Sequence, residues 1–551
     1  MPPLALLVPV GLPLLASLVA AVAGRLGWDV GRAAAAAGAW GAAIAVVALW
    51  MPVRSTEELA IGQLGFGTGL DLRLDGVAVA FCLIVLIPAA ILLSLQSRTW
   101  QETTVASLGV AAAVLAIEAG GVLLTAFAGC TAATLAVILL DIEDLKAPRP
   151  SWGLLLAAWL ALAWAGVTLQ VQGGTAVYAA VPVAALTTPV FGLLALAAVF
   201  ASGLFPWRGW LTLLWARPSL RAAGLAVATL QPLGLYLLVR AYEMGNGSFP
   251  QPALNLALAA WGVLVAFGAA ARAQAAATRR QYLAEVLPGL AGFSLMSVAV
   301  GSALGLVAAL ILLASSAVVA VCLPLLSGDA GVGTMLVTAA AVGAPPGLAF
   351  GGRLLGLDAA FETGEAMGLI GLAGVATWLV SAAAAARSAG LPADRDPAEP
   401  AGVQAVAVGM GAALLAAGPV LGVASYLGLT AAADVMSIPA GAPGAGTASI
   451  VTVSTVLPAA ALLGPLLVFG VIVLVLASPI LRAPRETHPP PLFELRVATR
   501  LARLRAQLRS AAVPDQYRSL LNPRGLELAA AGGSPAMWLA VLIALGVAVT
   551  R

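Results

Sequence analysis

Charged residues and histidine are scarce in this sequence. Only 9% of its 551 residues are charged and one is a histidine, whereas an ordinary soluble domain has about 25% charged residues. The mean hydropathy is +1.03, and 61% of the residues are hydrophobic. Water would not solvate such a chain, so the composition excludes a soluble enzyme and indicates a protein embedded in a lipid bilayer.

Side chains that bind metals are also few. Cys82, Cys130 and Cys322 lie far apart in apolar runs, and His488 stands in a proline-rich stretch. None of these residues has the spacing of a zinc or iron–sulfur site, and no nucleotide motif is present. We therefore expect no cofactor, no metal and no intrinsic catalysis. The net charge of +3 does not predict a nucleic-acid partner, because the arginines lie mainly between the apolar runs.

Long apolar runs dominate what is there. Runs of about 20 residues follow one another with short polar breaks, which predicts an all-α polytopic membrane protein with about 14–16 transmembrane helices. The predicted spans are 3–23, 33–53, 77–96, 104–118, 121–141, 152–172, 188–206, 219–240, 253–271, 285–302, 304–326, 331–349, 366–386, 402–426, 450–481 and 535–550.

Basic residues between the spans predict the orientation. They fall mostly in alternate loops, and the positive-inside rule places those loops in the cytoplasm. The prediction is a multi-pass protein of the inner (plasma) membrane with its N-terminus outside and a short external hairpin at 54–75. The segment 3–23 has no basic residue before it and no clear cleavage site, so we interpret it as the first span rather than a cleaved signal peptide.

Several spans contain prolines at which a helix should break. These residues are Pro189, Pro206, Pro232, Pro345 and Pro346. Breaks around Pro206 and around Pro345–Pro346 favour an inverted-repeat transporter architecture, and simple kinks in packed helices are the alternative.

The C-terminal part differs in kind from the spans. Between 492 and 509 apolar residues fall on one helical arc with arginines on both sides, which predicts an amphipathic interfacial helix. It either lies against anionic lipid or braces neighbouring subunits. The predicted divisions are 1–103 (first helices and hairpin), 104–386 (core), 387–481 (C-terminal core helices), 482–534 (lateral segment) and 535–551 (anchor helix).

Three stretches carry a family resemblance. They are "LDLRLDGVAVAFCLIVLIPAAILLSLQSR" (70–98), "FASGLFPWRGWLTLLWARPSLRAAGLAVATLQPLGLYLLVR" (200–240) and "VGAPPGLAFGGRLLGL" (342–357), with a weaker one in "TRRQYLAEV" (278–286). In order and spacing they resemble the proton-conducting membrane transporter family. This family comprises antiporter-like subunits of respiratory complex I, their relatives in membrane-bound hydrogenases and large subunits of multi-subunit cation/proton antiporters.

The resemblance implies a proton path, and this chain departs from it. Proton-pumping members are expected to carry a glutamate on the fifth helix, lysines on the seventh and eighth, and a lysine or glutamate on the twelfth. These positions hold Gly129 or Cys130, Ala201, Pro232 and Arg353. Because arginine does not release its proton in proteins, we predict a degenerate member that retains the scaffold and has lost, or greatly reduced, its own proton conduction.

Four charged residues remain as candidates for an ion path. Glu118 is either a displaced carboxylate or a charge in an external loop, and Arg280 and Glu285 are either a buried pair or part of a solvated loop. Arg353 is either functional, because intramembrane charges are costly, or a terminal charge paired with Asp358 or Glu362.

Three functions follow from the resemblance and compete. The first is an accessory membrane-arm subunit of a complex I-like (NADH–quinone oxidoreductase-like) or hydrogenase-like redox complex, with other membrane subunits and the lipid bilayer as partners. The second is an active proton/cation antiporter subunit. The third is the membrane partner of an energy-coupled inorganic carbon uptake system.

Overall fold

Most of the chain is described in a computed structural model. The described residues are 3–53, 56–64, 68–95, 99–143, 153–204, 210–211, 220–276, 278–326, 332–345, 347–388, 391, 401–416, 427, 430–432 and 434–435. The predicted spans 450–481 and 535–550 and the lateral segment 482–534 lie outside this part.

Helices make up nearly all of the described residues. In chain order they are α1 (Val8–Arg25), α2 (Gly31–Val53), α3 (Gly76–Leu95), α4 (Trp100–Glu118), α5 (Val122–Glu143), α6 (Gly153–Gly173), α7 (Thr188–Ala201), α8 (Leu220–Met244), α9 (Pro252–Gln274), α10 (Arg279–Val300), α11 (Ala303–Leu325), α12 (Val332–Val342), α13 (Leu348–Glu362), α14 (Glu365–Ser388) and α15 (Ala401–Ala416). Ten helices of this part are long and apolar enough to cross a membrane. The all-α polytopic class is confirmed.

Three helices form the centre of the bundle. The most apolar stretch of α8 is 100% buried, and those of α3 and α11 are 83% buried, whereas that of α14 is only 28% buried. A helix satisfies its own backbone hydrogen bonds, so an apolar helix can face either lipid or protein. The outer helices therefore present apolar side chains to the surroundings, and α8 is enclosed by protein.

A β-hairpin covers one end of the bundle. Strand β1 (Glu57–Leu64) pairs antiparallel with β2 (Thr68–Leu74), with Glu57 opposite Leu74 and Leu64 opposite Thr68. The hairpin packs against a short 3₁₀ helix at Pro3–Leu7. The N-terminus and the hairpin therefore lie at the same end, which is called the hairpin end below.

The second predicted break occurs between α12 and α13. Gly343 adopts a φ of +76°, which favours glycine, and it ends α12 inside the bundle. The carbonyl of Val342 that the break leaves free accepts a hydrogen bond from the indole Nε1 of Trp378, at 2.8 Å. At the first predicted break, α7 ends at Ala201, and Pro206 lies outside the described residues, as does Pro346.

Two of the prolines do not break helices. Pro232 lies inside α8, which continues from Leu220 to Met244, and Pro189 lies in the first turn of α7. Proline is tolerated in a first helical turn because its missing N–H would have had no partner there. The prediction of a break at these two residues is wrong.

Candidate functional site

Two arginines and two acids form a buried ion-pair network at the hairpin end, which we call the hairpin cluster: Arg73, Asp75, Arg240 and Glu243. Arg240 is fully buried near the end of α8, and its Nη1 and Nη2 lie 2.7 and 3.1 Å from the two carboxylate oxygens of Asp75. Glu243 lies 2.6 Å from the same Nη1. Arg73 on β2 lies 3.2 Å from Asp75 and 2.5 Å from Glu243.

Neighbouring helices hold the hairpin cluster in position. The Nε of Arg240 donates to the Tyr236 hydroxyl at 2.8 Å, and that hydroxyl donates to the carbonyl of Ile117 at 2.6 Å. Asp75 precedes α3 and accepts a hydrogen bond from the backbone N–H of Ala78 at 2.8 Å. Burial alone would raise the pKa of Asp75, but the charges of Arg240 and Arg73 outweigh it and lower the pKa.

A third acid reaches the cluster from the C-terminal half. Asp434 accepts a hydrogen bond from the backbone N–H of Gly76 at 2.6 Å. Burial, together with the negative charge of Asp75, raises the pKa of Asp434 to about 6. A residue 358 positions away in sequence is therefore part of the hairpin end.

Glu118 lies beside this cluster at the end of α4. Its side chain is buried, with the residue 1% exposed, and neither carboxylate oxygen has a hydrogen-bond partner among the described residues. The chain around it is fixed, because the N–H of Gly120 donates to the Asp71 carbonyl of β2 at 2.7 Å. Glu118 is thus buried and is not an exposed charge in a loop. Its carboxyl group has no hydrogen-bond partner among the described residues.

Neutral polar side chains occupy the middle of the bundle. The amide oxygen of Gln231 on α8 accepts a hydrogen bond from Ser316 on α11 at 3.3 Å. On the other side, the Ser202 hydroxyl donates to the Gln231 carbonyl at 3.3 Å. The family positions Ala201 and Pro232 are the immediate neighbours of Ser202 and Gln231 in sequence, and both are buried. We call Ser202, Gln231 and Ser316 the neutral row.

The fifth-helix position is not part of this row. Cys130 is half-buried, and a side chain at Gly129 would collide with the Trp159 ring, at 2.2 Å. The sequence offers no carboxylate here, and the space beside Gly129 is filled by an indole.

Arg353 lies in a second cluster, in α13, and is 3% exposed. Its guanidinium carbon lies 4.6 Å from the ring centre of Phe293 and 5.7 Å from that of Trp378. Its Nη2 is 3.4 Å from the carbonyl of Ala341, at the end of α12. A helix end carries partial negative charge, so the break between α12 and α13 partly balances this arginine. Asp358 and Glu362 are exposed, and no ion pair joins either of them to Arg353 in the described part.

A small cavity adjoins Arg353, with a volume of about 20 Å³, enough for one water-sized occupant. Besides apolar residues, its lining includes Tyr282, Glu285 and Ser381. Glu285 forms an ion pair with Arg272 of α9 at 2.9 Å, whereas the sequence suggested Arg280 as its partner. The backbone of Arg280 belongs to α10, and its side chain lies outside the described part.

The two charged regions lie on different sides of the neutral row. The chain reverses direction with each crossing of the bundle, with the broken helix α12–α13 counted as one crossing. The end of α9 and the start of α10, which carry Arg272 and Glu285, are therefore at the end opposite the hairpin. The structure thus brings Arg353 and Glu285 to one cavity and leaves Glu118 at the other end. No group of acids, histidines and cysteines suited to a metal ion occurs in the described part of the chain.

The hairpin cluster was missed as a site by sequence reasoning. Asp75 and Arg240 stand in two of the stretches that carry the family resemblance, but they are separated by 165 positions. The available signal was that both are charged residues at the edges of strongly apolar spans, where a charge needs a partner.

Comparison with known proteins identifies the fold. The sequence matches no family profile and no curated protein. A chain in the structure of the Mrp complex from Dietzia sp. DQ12-45-1b is similar, with a TM-score of 0.70 and 20% identity, over 100% of this chain and 63% of that one. A chain of respiratory complex I from Thermus thermophilus with bound NADH has a TM-score of 0.64 and 21% identity, over 80% of this chain and 100% of that one.

A third similar structure is the membrane-bound sulfane sulfur reductase, an archaeal respiratory membrane complex. The TM-score is 0.63 with 16% identity, over 74% of this chain and 75% of that one. This chain spans 63% of the length of the Mrp chain. The predicted resemblance is confirmed at the level of fold: this chain shares its fold with chains of these membrane complexes.

Proposed function

We propose that this chain is an antiporter-like membrane-arm subunit of a complex I-like or hydrogenase-like energy-converting redox complex, and that its role is largely structural. The fold supports an antiporter-like membrane subunit. The observation that carries the structural role is the neutral row, because Ser202, Gln231 and Ser316 stand where a relay across the bundle would need groups that titrate.

The physical argument concerns proton transfer. A hopping proton needs side chains that gain and lose it, and amides and alcohols do not ionise near neutral pH. Lysine would do so when buried, but the sequence contains a single lysine, Lys146, outside the described residues. Arg353 holds its proton under all ordinary conditions. Proton conduction through the centre is therefore expected to be slow or absent.

The partners and the location follow from the same proposal. The similar chains occur in structures of multi-subunit membrane complexes, so we expect other membrane subunits to pack on the apolar outer helices. The inner membrane, with the N-terminus and hairpin outside, is the proposed location, supported by the alternating arginine-rich loops. Catalysis would belong to other subunits.

Purification tests the partnership. The tagged chain, extracted from its native membrane in mild detergent, should migrate as a large complex with subunits that bear flavin, iron–sulfur clusters or nickel–iron centres. As a control, the same tag on an unrelated membrane protein should not co-purify these redox groups. Migration of the chain by itself in several mild detergents would reject the proposal.

Reconstitution tests the degenerate role. Proteoliposomes with the purified chain should dissipate an imposed pH gradient no faster than empty liposomes, and addition of a protonophore should collapse the gradient in both. A rapid collapse that Arg353→Ala abolishes would favour the second candidate, an active proton/cation antiporter subunit.

One observation favours that second candidate. Glu118 is a buried carboxyl group without a described partner, and intramembrane acids often take part in proton movement. If the chain conducts, Glu118→Gln should slow the flux at least tenfold, while Glu365→Gln, at an exposed glutamate of α14, should leave it unchanged.

A further inference from the structure

We propose that the cavity beside Arg353 is a binding site for a single monatomic anion, with a halide as the chemical class. The starting point is the state of the guanidinium. Arg353 is 3% exposed, and its Nε and Nη1 have no hydrogen-bond partner among the described residues. Among the described residues, only Nη2 donates a hydrogen bond, to the Ala341 carbonyl at 3.4 Å.

The charge of Arg353 is incompletely balanced. A buried ion is stable when it is paired and its hydrogen-bonding groups are satisfied. The nearest acid that lines the same cavity is Glu285, which forms an ion pair with Arg272. The ring faces of Phe293 and Trp378 stabilise a cation, but they accept no conventional hydrogen bond in the plane of the guanidinium. Two guanidinium nitrogens, Nε and Nη1, therefore remain for an outside ligand.

The cavity has the right size and wall for a small anion. Its volume of about 20 Å³ is enough for a small species, and a monatomic halide is such a species. The polar side chains of Tyr282 and Ser381 line the space with Arg353. The Ser381 hydroxyl donates its proton to the Thr377 carbonyl at 2.9 Å. The donors left for a ligand are therefore the Tyr282 hydroxyl and the guanidinium Nε and Nη1 of Arg353.

The site is separate from the proposed function. It needs no proton transfer and no redox partner, because the charge of Arg353 is permanent. The anion would act as a resident counter-ion that stabilises the broken helix α12–α13. Failure of this inference would leave the proposal of an accessory redox subunit unaffected.

The first test is a halide-dependent melting experiment on the full-length protein in detergent. Sodium gluconate is replaced stepwise by sodium chloride at constant ionic strength, and unfolding is followed by intrinsic fluorescence. Saturable binding should raise the melting temperature by about 2–5 °C. Bromide should act like chloride, whereas sulfate should give only the gradual, non-saturating rise that salt exclusion from the protein surface causes.

Variants assign the effect to Arg353. Arg353→Met, which keeps an unbranched chain of similar length, should lose the chloride dependence, and Arg353→Lys should weaken it. Arg25→Met, at an exposed arginine at the end of α1, should retain it in full. An equal response of Arg353→Met and the wild-type protein would overturn the inference, as would a response to sulfate equal to that for chloride.

A second measurement does not depend on a stable Arg353 variant. Bound iodide quenches a nearby indole, and Trp378 lies over Arg353. Iodide should quench part of the wild-type fluorescence with saturation at low concentration, chloride should compete, and Trp378→Phe should remove this component. Quenching that is linear in iodide and insensitive to chloride would mean that water fills the cavity, and the inference would be wrong.

Discussion

Arg240 is buried and has a partner on every side among the described residues. It is fully buried, contacts two acids and a tyrosine hydroxyl, and lies against the rings of Tyr178 and Tyr236. Removing one member of a buried ion pair leaves the other charged and unpaired, which is costlier than removing both. The hairpin cluster should therefore behave as a unit.

Substitution of Arg240 tests this unit. Arg240→Met should destabilise the protein by about 3–5 kcal/mol, because it leaves Asp75 buried without its main partner. The double variant Arg240→Met, Asp75→Asn should recover part of the loss. Urea or thermal unfolding in detergent gives the double-mutant cycle, and strictly additive effects would contradict a coupled pair.

The raised pKa of Asp434 predicts that its contribution to the stability of the fold changes with pH in the opposite direction to that of Asp75. Its folded pKa of about 6 lies above the ordinary 3.8, so the folded state keeps a proton that the unfolded state has lost. Stability from this group is fully present below pH 3.8 and falls as pH rises towards 6. Because the Asp434 side chain is exposed over part of its surface, solvent screens its interactions and the loss should be small.

The difference between wild-type protein and Asp434→Asn isolates this effect. The variant, which can still accept the hydrogen bond from Gly76, should lack the decline in melting temperature between pH 4 and 6. Asp75 contributes in the other direction and at lower pH, because its folded pKa is lowered and its stabilisation disappears only as pH falls through that value. Identical pH profiles for the two proteins would contradict the assignment.

At the scale of elements, α9 and α10 pack backbone against backbone. A Cβ at Gly262 would lie 2.5 Å from the Met296 nitrogen and 2.6 Å from the Gly292 carbonyl, and one at Gly292 would lie 2.7 Å from the Gly262 carbonyl. Small residues allow this approach between membrane helices. The contact brings the start of α10, with Tyr282 and Glu285, to the cavity beside Arg353.

Gly262→Ala should separate these helices. Overpacking costs about 1–3 kcal/mol, so the melting temperature should fall by several degrees and the chloride dependence should weaken. Gly192→Ala is the matched control, since a Cβ there meets nothing within 4 Å. A variant at Gly262 as stable as the one at Gly192 would show that the close packing is absent.

Elements were largely predictable from the sequence. The predicted span 253–271 corresponds to α9 at Pro252–Gln274, and 366–386 corresponds to α14 at Glu365–Ser388, because the length of an apolar run reflects the thickness of the bilayer. The error at Pro232 has a physical reason. A proline inside a membrane helix is tolerated where neighbours enclose the backbone, and α8 is fully enclosed.

At the scale of the whole molecule, the alternating helix directions predict a sidedness that can be measured. In a cysteine-free background, Ile61→Cys in the hairpin and Glu365→Cys at the start of α14 should react with an impermeant thiol reagent from the same side. Ala275→Cys, after α9, should react from the other side. All three positions are exposed.

The orientation follows from the same labelling. We expect Ile61→Cys to react in intact cells and Ala275→Cys only after the membrane is opened, since the N-terminus and hairpin are proposed to be outside. The reverse pattern would keep the fold and invert the proposed orientation. Labelling of all three from one side would contradict the helix directions themselves.

The sequence by itself determined the membrane class, the positions of most spans, a helix break around Pro345 and the absence of relay lysines. Each of these depends on local composition: the hydropathy of about 20 consecutive residues, or the identity of one residue. A chain with 9% charged residues lies mostly in lipid, which offers the backbone no hydrogen-bonding partners. Its spans therefore form helices, in which the backbone hydrogen bonds are internal.

Only the tertiary structure decided which charges meet. Asp75 joins Arg240 across 165 positions and Asp434 reaches Gly76 across 358, and Glu285 pairs with Arg272 of the neighbouring helix. Helix packing fixes such contacts through side-chain volumes on several helices at once, and no local pattern in the sequence encodes them. For the same reason the sequence could single out Glu118 and Arg353 as charges in apolar surroundings, but only the fold shows that, among the described residues, Glu118 has no hydrogen-bond partner and Arg353 only a carbonyl.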